Sequence, residues 1–374
     1  MTGTDTSDQE RAAQVALALV NGVGHARRTT LLQSCSTAYG ALAAPFEFLR
    51  ALPGISAACA TAIKATSVAQ GERVLRDVEA HGGCCLVSGD PAYPAILSDI
   101  PEPPAVLFAV GRLELLERLA VAVVGSRNHS PYGGDACRLV VRAAADAGLC
   151  VVSGMARGLD AVAHLAALDS GGETIGVLGN GFGIIYPSAN RVLYERMRRE
   201  GLLLTEFPPG ERPTAGSFQR RNRLISGLAR LTVVVEAAAG SGTLITVDAA
   251  LSQGRDVMVV PGAITSATSV GTNRLLRDGA TPFLEAADLL AAFPEVRPPR
   301  APDGAPAPDP EPPSLFPLTL FERRVFQTLD RTPRHLDALI EVVGVPAAEL
   351  LPALSALELY GIARQEPGRR FLRS

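Results

Sequence analysis

Six apolar runs between residues 119 and 262 each end in a polar or glycine-bearing loop. They read LAVAVVG (119–125), LCVVSG (149–154), TIGVLG (174–179), GLLLTE (201–206), LTVVVEA (231–237) and RDVMVVPG (255–262). The runs are continuous rather than alternating, so strands made from them must be buried on both faces. The first three lead into stretches with helical spacing. Strand–helix repetition of this kind demands a parallel sheet with helices packed on both sides. The expected fold class is α/β, a Rossmann-like, doubly wound, mostly parallel sheet. Ligands of such sheets sit beyond the carboxyl ends of the strands, and the polar loops fall there.

The chain has 374 residues, room for two or three domains at about 100–200 residues each. Residues 1–80 lack strand-like patterning and form an expected N-terminal helical domain. Its helices are broken at NGVGHA (21–26) and LPGISA (52–57). Glycine turns entering new helices give it a SAM-domain-like or helix-hairpin-helix-like character. The amides of such turns can face a phosphate, or the turns can simply close a small helical domain. The extended Rossmann-like domain is expected over 81–293. Ten prolines fall in 294–317, which marks a polyproline-type linker. The tail, 318–374, reads as three helices and a hairpin carrying Arg364, Arg369, Arg370 and Arg373, a winged-helix pattern. Its third helix has no base-reading side chain, so protein contact or backbone contact is expected of it rather than sequence readout.

Net charge is −3, so a nucleic-acid site has to be a local patch rather than a global field. Lys64 is the one lysine among 35 basic residues. Walker-type G-x-x-x-x-G-K-[ST] is therefore excluded in the sheet domain, and G-x-G-x-x-G is absent, so no cofactor is expected. The six cysteines show no metal spacing and read as small apolar residues of a reducing compartment. MTGTDTSDQE is too polar for a signal peptide and no apolar run reaches a membrane span. A cytoplasmic protein is expected.

Three strand-end loops carry anion chemistry. VVGSRNHSPYG (123–133) offers Gly125, Ser126 and Arg127. VVSGMARGLDAVAHLAAL (151–168) offers Ser153, Gly154 and Arg157. Gly backbones approach phosphate closely, hydroxyls and helix-entry amides donate, and Arg supplies charge. The third is SFQRRNRLISGLARLTVVVEAAAGSGTLIT (217–246). Here Phe218 stands beside Arg220, Arg221, Asn222 and Arg223, and a small-residue loop follows with Gly240, Ser241, Gly242 and Thr243. Five arginines and no acidic residue fall in 212–230. A stacking face among phosphate donors suits single-stranded nucleic acid. Asp160 and His164 share a helix face and are read as structural. Tyr186, Pro187 and Asn190 in GNGFGIIYPSANRVLYE (179–195) are read as a rigid turn.

These motifs, with YPAILSDIPEPPAVLFAVG, GLLLTEFPPGERP and RDVMVVPGAITSATSVGTNRLLRDGA, stand in an order and spacing that resembles the DNA-processing protein A family (DprA, also called Smf), recombination mediators of bacterial transformation. The resemblance implies single-stranded DNA binding, with duplex DNA a second candidate, and delivery of the RecA recombinase without catalysis. It also implies a homodimer, with Leu275 and Leu276 either on the dimer surface or in the core. Carried over residue by residue, the DNA pocket would use Gly125, Ser126, Arg127, Phe218, Arg221, Asn222 and the 240–243 loop. This chain departs from the family at Gln219, where a proline is common, and at Ala215, where several members carry lysine. Arg212 or Arg220 is expected to compensate. Arg221→Ala is expected to weaken DNA binding without unfolding the chain. The loops also resemble LOG-type nucleotide phosphoribohydrolases, but Thr246 stands where that family has its catalytic glutamate. The enzyme is thus the alternative reading.

Overall fold

The computed structural model describes residues 3–296, 318–330 and 332–373. Its central sheet has nine strands: β1 (Cys84–Val87), β2 (Val106–Gly111), β3 (Ala120–Val124), β4 (Cys150–Ser153), β5 (Thr174–Val177), β6 (Leu202–Thr205), β7 (Leu231–Val234), β8 (Asp256–Val259) and β9 (Thr281–Pro282). Their spatial order is β1-β2-β6-β5-β4-β3-β7-β8-β9. The run from β6 to β9 is parallel throughout. The six expected strands form its centre. The sequence reading lacked β9 and the edge pair β1 and β2, which add antiparallel pairings to β6.

Burial explains the unbroken apolar runs. In β3, Ala120, Ala122 and Val124 face one layer, while Val121 and Val123 face the other. Both sets are buried. Helices Pro131–Asp146 and Leu159–Asp169 pack on the second face, and helices Ala215–Gly227 and Thr243–Ser252 on the first. From β3 the chain steps outward through β4, β5 and β6 on one side, then resumes at β7 on the other. The strand order therefore reverses between β3 and β7, which is where an open α/β sheet forms a crevice.

Six helices precede the sheet, from Gly3–Ala18 to Val68–Ala80. They enclose a core that includes Leu17, Leu31, Leu49 and Ile63. Arg11 ties the first helix to the sheet edge, donating to the Cys85 carbonyl and to Asp90, both at 2.8 Å. All six cysteines are free, four of them buried. Burial pushes the Cys85 and Cys137 thiols up to about 12, so neither is a ready nucleophile.

The chain divides into two compact units, 1–300 and 301–374. The second contains helices Leu320–Thr328, Leu336–Val343 and Ala347–Leu359 and a three-stranded sheet, the winged-helix arrangement expected of the tail. The expected linker lies outside the described residues from 297 to 317. Among the described residues no single helix is long and apolar enough to cross a membrane.

Candidate nucleic-acid interface

A cavity of about 700 Å³ opens at the β3/β7 reversal. Gly125, Ser126 and Arg127 enter it from the end of β3, and Gly240, Ser241, Gly242 and Thr243 from the loop beyond β7. Its third wall is helix Ala215–Gly227, which presents Phe218, Gln219, Arg221 and Asn222. The start of this helix is fixed by a reciprocal cap. Thr214 accepts from the Ser217 amide at 3.0 Å and Ser217 accepts from the Thr214 amide at 2.9 Å. Ser217 also donates to the Gly179 carbonyl at 2.6 Å, pinning the helix to the end of β5.

Helical spacing then sorts the arginines. Residues three and four apart share a face, so Phe218, Arg221 and Asn222 line the cavity together. Arg220 and Arg223 turn to the opposite side. Both pair with the buried Glu206, at 2.9 and 2.5 Å, and Arg223 also donates to the Glu102 carbonyl at 2.6 Å. They line a separate cleft of about 460 Å³ beside residues 20–25. The expectation that Arg220 and Arg223 join the same DNA site is thus corrected: both face the second cleft, where they share the Glu206 carboxylate.

Arg221 is 3 % exposed. Its Nη1 donates to the carbonyls of Gly154 and Val177, at the ends of β4 and β5, and its Nε donates to Asn222 Oδ1 at 3.2 Å. Burial pulls its pKa down to about 10, opposed by the nearby Asp160 carboxylate. Burial pushes Asp160 up, opposed by Arg221. Arg221 is therefore a buried strut as well as a wall of the cavity. A Cβ at Gly154 would come within 2.7 Å of Arg221 Nη1 and Asp160 Oδ2, which explains why glycine occupies that strand end.

With Asp160 and Arg221 offsetting each other, Arg127 supplies the uncommitted charge. It is exposed, has no ion-pair partner among the described residues, and stands over Phe218 with Cζ 5.4 Å from the ring centroid. The helix Thr243–Ser252 begins at Gly242 with no side-chain cap, so its first amides add positive potential at the cavity. The remaining expected residues separate. Gly154 and Arg157 border a smaller neighbouring cavity. Ser153 is fully buried and donates to the Val123 carbonyl at 2.7 Å, so it is a sheet brace and no ligand donor. Leu275 and Leu276 are half-buried and pack on the sheet core.

His164 and Asp160 stay structural. His164 is fully buried and its Nδ1 faces Thr174 Oγ1 at 2.7 Å. Since that hydroxyl donates to the Val151 carbonyl, it can only accept from His164, which fixes the proton on Nδ1. Glu236, at the end of β7, accepts from the Ser130 amide at 2.9 Å and from the hydroxyls of Ser130 and Thr268, at 2.5 and 2.9 Å. It braces Ser130, the N-cap of helix Pro131–Asp146. Among the described residues no group of His, Cys, Asp or Glu is arranged to hold a metal ion. The sequence reading missed Tyr186 and Asn128 as cavity residues. Tyr186 follows β5, so its place at a strand end was the available signal.

Residues 84–294 match the family described as DNA recombination-mediator protein A, and residues 307–369 match the DprA winged helix domain. A protein Smf from Synechocystis is 35 % identical over 318 residues, covering 77 % of this chain and 79 % of the relative. A DNA processing protein DprA from Streptococcus pneumoniae is 43 % identical over 204 residues, covering 54 % of this chain and 72 % of that one. The X-ray structure of DprA from Streptococcus pneumoniae superposes with a TM-score of 0.64 at 31 % identity, over 78 % of this chain and 98 % of that chain. A Helicobacter pylori DprA structure, described for its single-stranded DNA binding mode, gives a TM-score of 0.52 at 28 % identity, over 57 % of this chain and 96 % of that chain.

Proposed function

Because the chain belongs to the DNA recombination-mediator protein A family, we propose that it is a recombination mediator that holds single-stranded DNA in the crevice between β3 and β7. The observation that carries this reading is the stack of Arg127 on Phe218 at that crevice. An aromatic face accepts a base of any identity, and an unpaired guanidinium beside it meets the phosphodiester. The Gly242 amide, at the start of helix Thr243–Ser252, supplies a second phosphate contact. The single-strand binding described for the Helicobacter pylori protein supports the same assignment.

The protein holds the strand without cutting it and passes it to RecA. Thr246 supplies no carboxylate for the alternative nucleotide-hydrolase chemistry, and Asp160 is buried and accepts from the Ala156 amide at 3.3 Å. A homodimer is part of the proposal. Leu275 and Leu276 already pack inward, so charged substitution there is expected to unfold the chain as well as to split a dimer. Sedimentation of the parent protein reads the oligomeric state directly.

The test is a fluorescence-anisotropy titration with oligo-dT. Phe218→Ala is expected to weaken binding by about 1–3 kcal/mol, the worth of one stacked base. Arg127→Ala is expected to lower the slope of log K against log salt by roughly 0.7, one single-strand phosphate contact. Parental affinity and slope in both variants would overturn the site. The RecA step is read as RecA ATPase on DNA precoated with a single-strand-binding protein. The parent should raise that rate and Phe218→Ala should not, with the DNA recovered at its original length.

A further inference from the structure

Behind Phe218 lies a second cavity, of about 280 Å³. Arg127, Ala156, Tyr186 and Phe218 border both it and the larger one, so the Phe218 ring is the partition between them. Tyr186 is 49 % exposed, with its ring centroid 5.5 Å from that of Phe218 and its plane tilted by 35°. Met155 and Leu178 are buried and give the cavity an apolar floor. Arg157 borders only the smaller cavity, is exposed, and has no ion-pair partner among the described residues.

The backbone here is unusual. Met155 has φ +56°, a left-handed conformation that a non-glycine residue adopts at a cost. Asn190 holds it by donating to the carbonyls of Met155 and Ala156 at 3.0 and 3.1 Å. Asn180, buried, fixes the opposite loop by donating to the carbonyls of Gly181 and Ile184 at 2.9 and 2.7 Å. A Cβ at Gly179 would come within 2.6 Å of the Phe218 ring, so the partition is packed from behind. Two aromatic rings, an apolar floor and a rim arginine form a rigid slot close to the lower size bound of ligand pockets, about 300 Å³.

We propose that this slot is a second nucleobase subsite, which takes the neighbour of the base held in the larger cavity. The inference rests on the reading of the larger cavity as a single-strand site. One base stacks in the larger cavity. Its neighbour enters the slot against Tyr186, and Arg157 meets the phosphate on that side. Arg127, over the partition, is placed to hold the phosphate linking the two.

The experiment titrates oligo-dT, and the same oligomer with every base removed, against the parent, Tyr186→Ala and Arg157→Ala. Both side chains are exposed, and a thermal melt confirms that each variant folds. Tyr186→Ala is expected to bind oligo-dT roughly five- to a hundredfold more weakly, as loss of one stacked base does, and to bind the base-free oligomer as the parent does. Arg157→Ala is expected to weaken both ligands and lower the salt slope by roughly 0.7. Loss in Tyr186→Ala with a silent Arg157→Ala confines the strand to the larger cavity and overturns the subsite. So does parental binding of oligo-dT by Tyr186→Ala. Failure of the parent itself to bind oligo-dT would instead sink the single-strand reading on which the subsite rests.

Discussion

Arg221 carries its charge into a place from which water is excluded, and three acceptors and Asp160 are arranged around it. Removing the guanidinium leaves the Gly154 and Val177 carbonyls without their donor, at about 1–3 kcal/mol for a buried polar group left unsatisfied. Arg221→Ala is therefore expected to lower the unfolding free energy by that order, read by urea denaturation. A variant as stable as the parent would show that the strut is dispensable. The sequence reading expected the same substitution to spare the fold. The burial of Arg221 argues the other way, and an arginine run does not reveal which member faces inward. His164 makes a second residue-scale case. Burial first, and the Arg221 charge second, push its pKa down to about 3. Above the unfolded value of about 6.5 the imidazole is neutral in both states and costs nothing. As pH falls below that value the unfolded chain takes up a proton that the folded chain refuses, so stability is lost. The expected loss is about 2 kcal/mol between pH 7.5 and 5. His164→Gln should remove that part of the slope, and an unchanged slope would place the titration elsewhere.

At the scale of elements, the helix Ala215–Gly227 decides which residues form the site, and its start decides the helix. Thr214→Ala removes the hydroxyl that accepts from Ser217 and is expected to cost about 1 kcal/mol of stability. It should also weaken oligo-dT binding, because Phe218 and Asn222 ride on the first turns. Thr214→Ser should restore both, and a stable variant with parental binding would show that packing alone holds this helix. The cap was readable in the sequence as Thr214 three residues before Ser217, with Leu224 and Ile225 as the apolar anchor further on. Without it, Arg220 to Arg223 read as one patch, whereas a turn of about 100° per residue divides them between two clefts. The parallel strands were legible because burial on both faces leaves them uniformly apolar. β1 and β2 were not, because they are separated by a proline-interrupted stretch with only a four-residue helix, Ala95–Ser98, and their antiparallel edge pairing needs no strand–helix rhythm. The polar loops of 125–127 and 240–243 were legible as a site for a topological reason: they follow the two strands flanking the reversal.

At the scale of the whole molecule, the question is whether DNA binding belongs to one compact unit or to both. The body has its own sheet core, and the tail has a separate one around Val325, Leu339, Leu350 and Leu354. In the tail, helix Ala347–Leu359 carries Glu349 and Glu358 and no basic residue, and it buries Leu350, Leu354 and Leu357. A helix of that composition has no cationic side chain to meet a phosphate. The hairpin arginines are partly spent. Arg364 pairs with Glu366 at 3.1 Å, and Arg373 donates to the Phe326 carbonyl while lying 4.3 Å from that ring. A chain ending at residue 296 is therefore expected to keep the oligo-dT affinity of the full protein and the same salt dependence. Each phosphate contact contributed by the tail would reveal itself as a slope smaller by roughly 0.7 in the shortened chain. Parental affinity together with an unchanged slope would leave the winged helix free for a protein partner. In that case the shortened chain should bind DNA normally and yet fail to raise RecA activity on coated DNA, which separates holding the strand from handing it over.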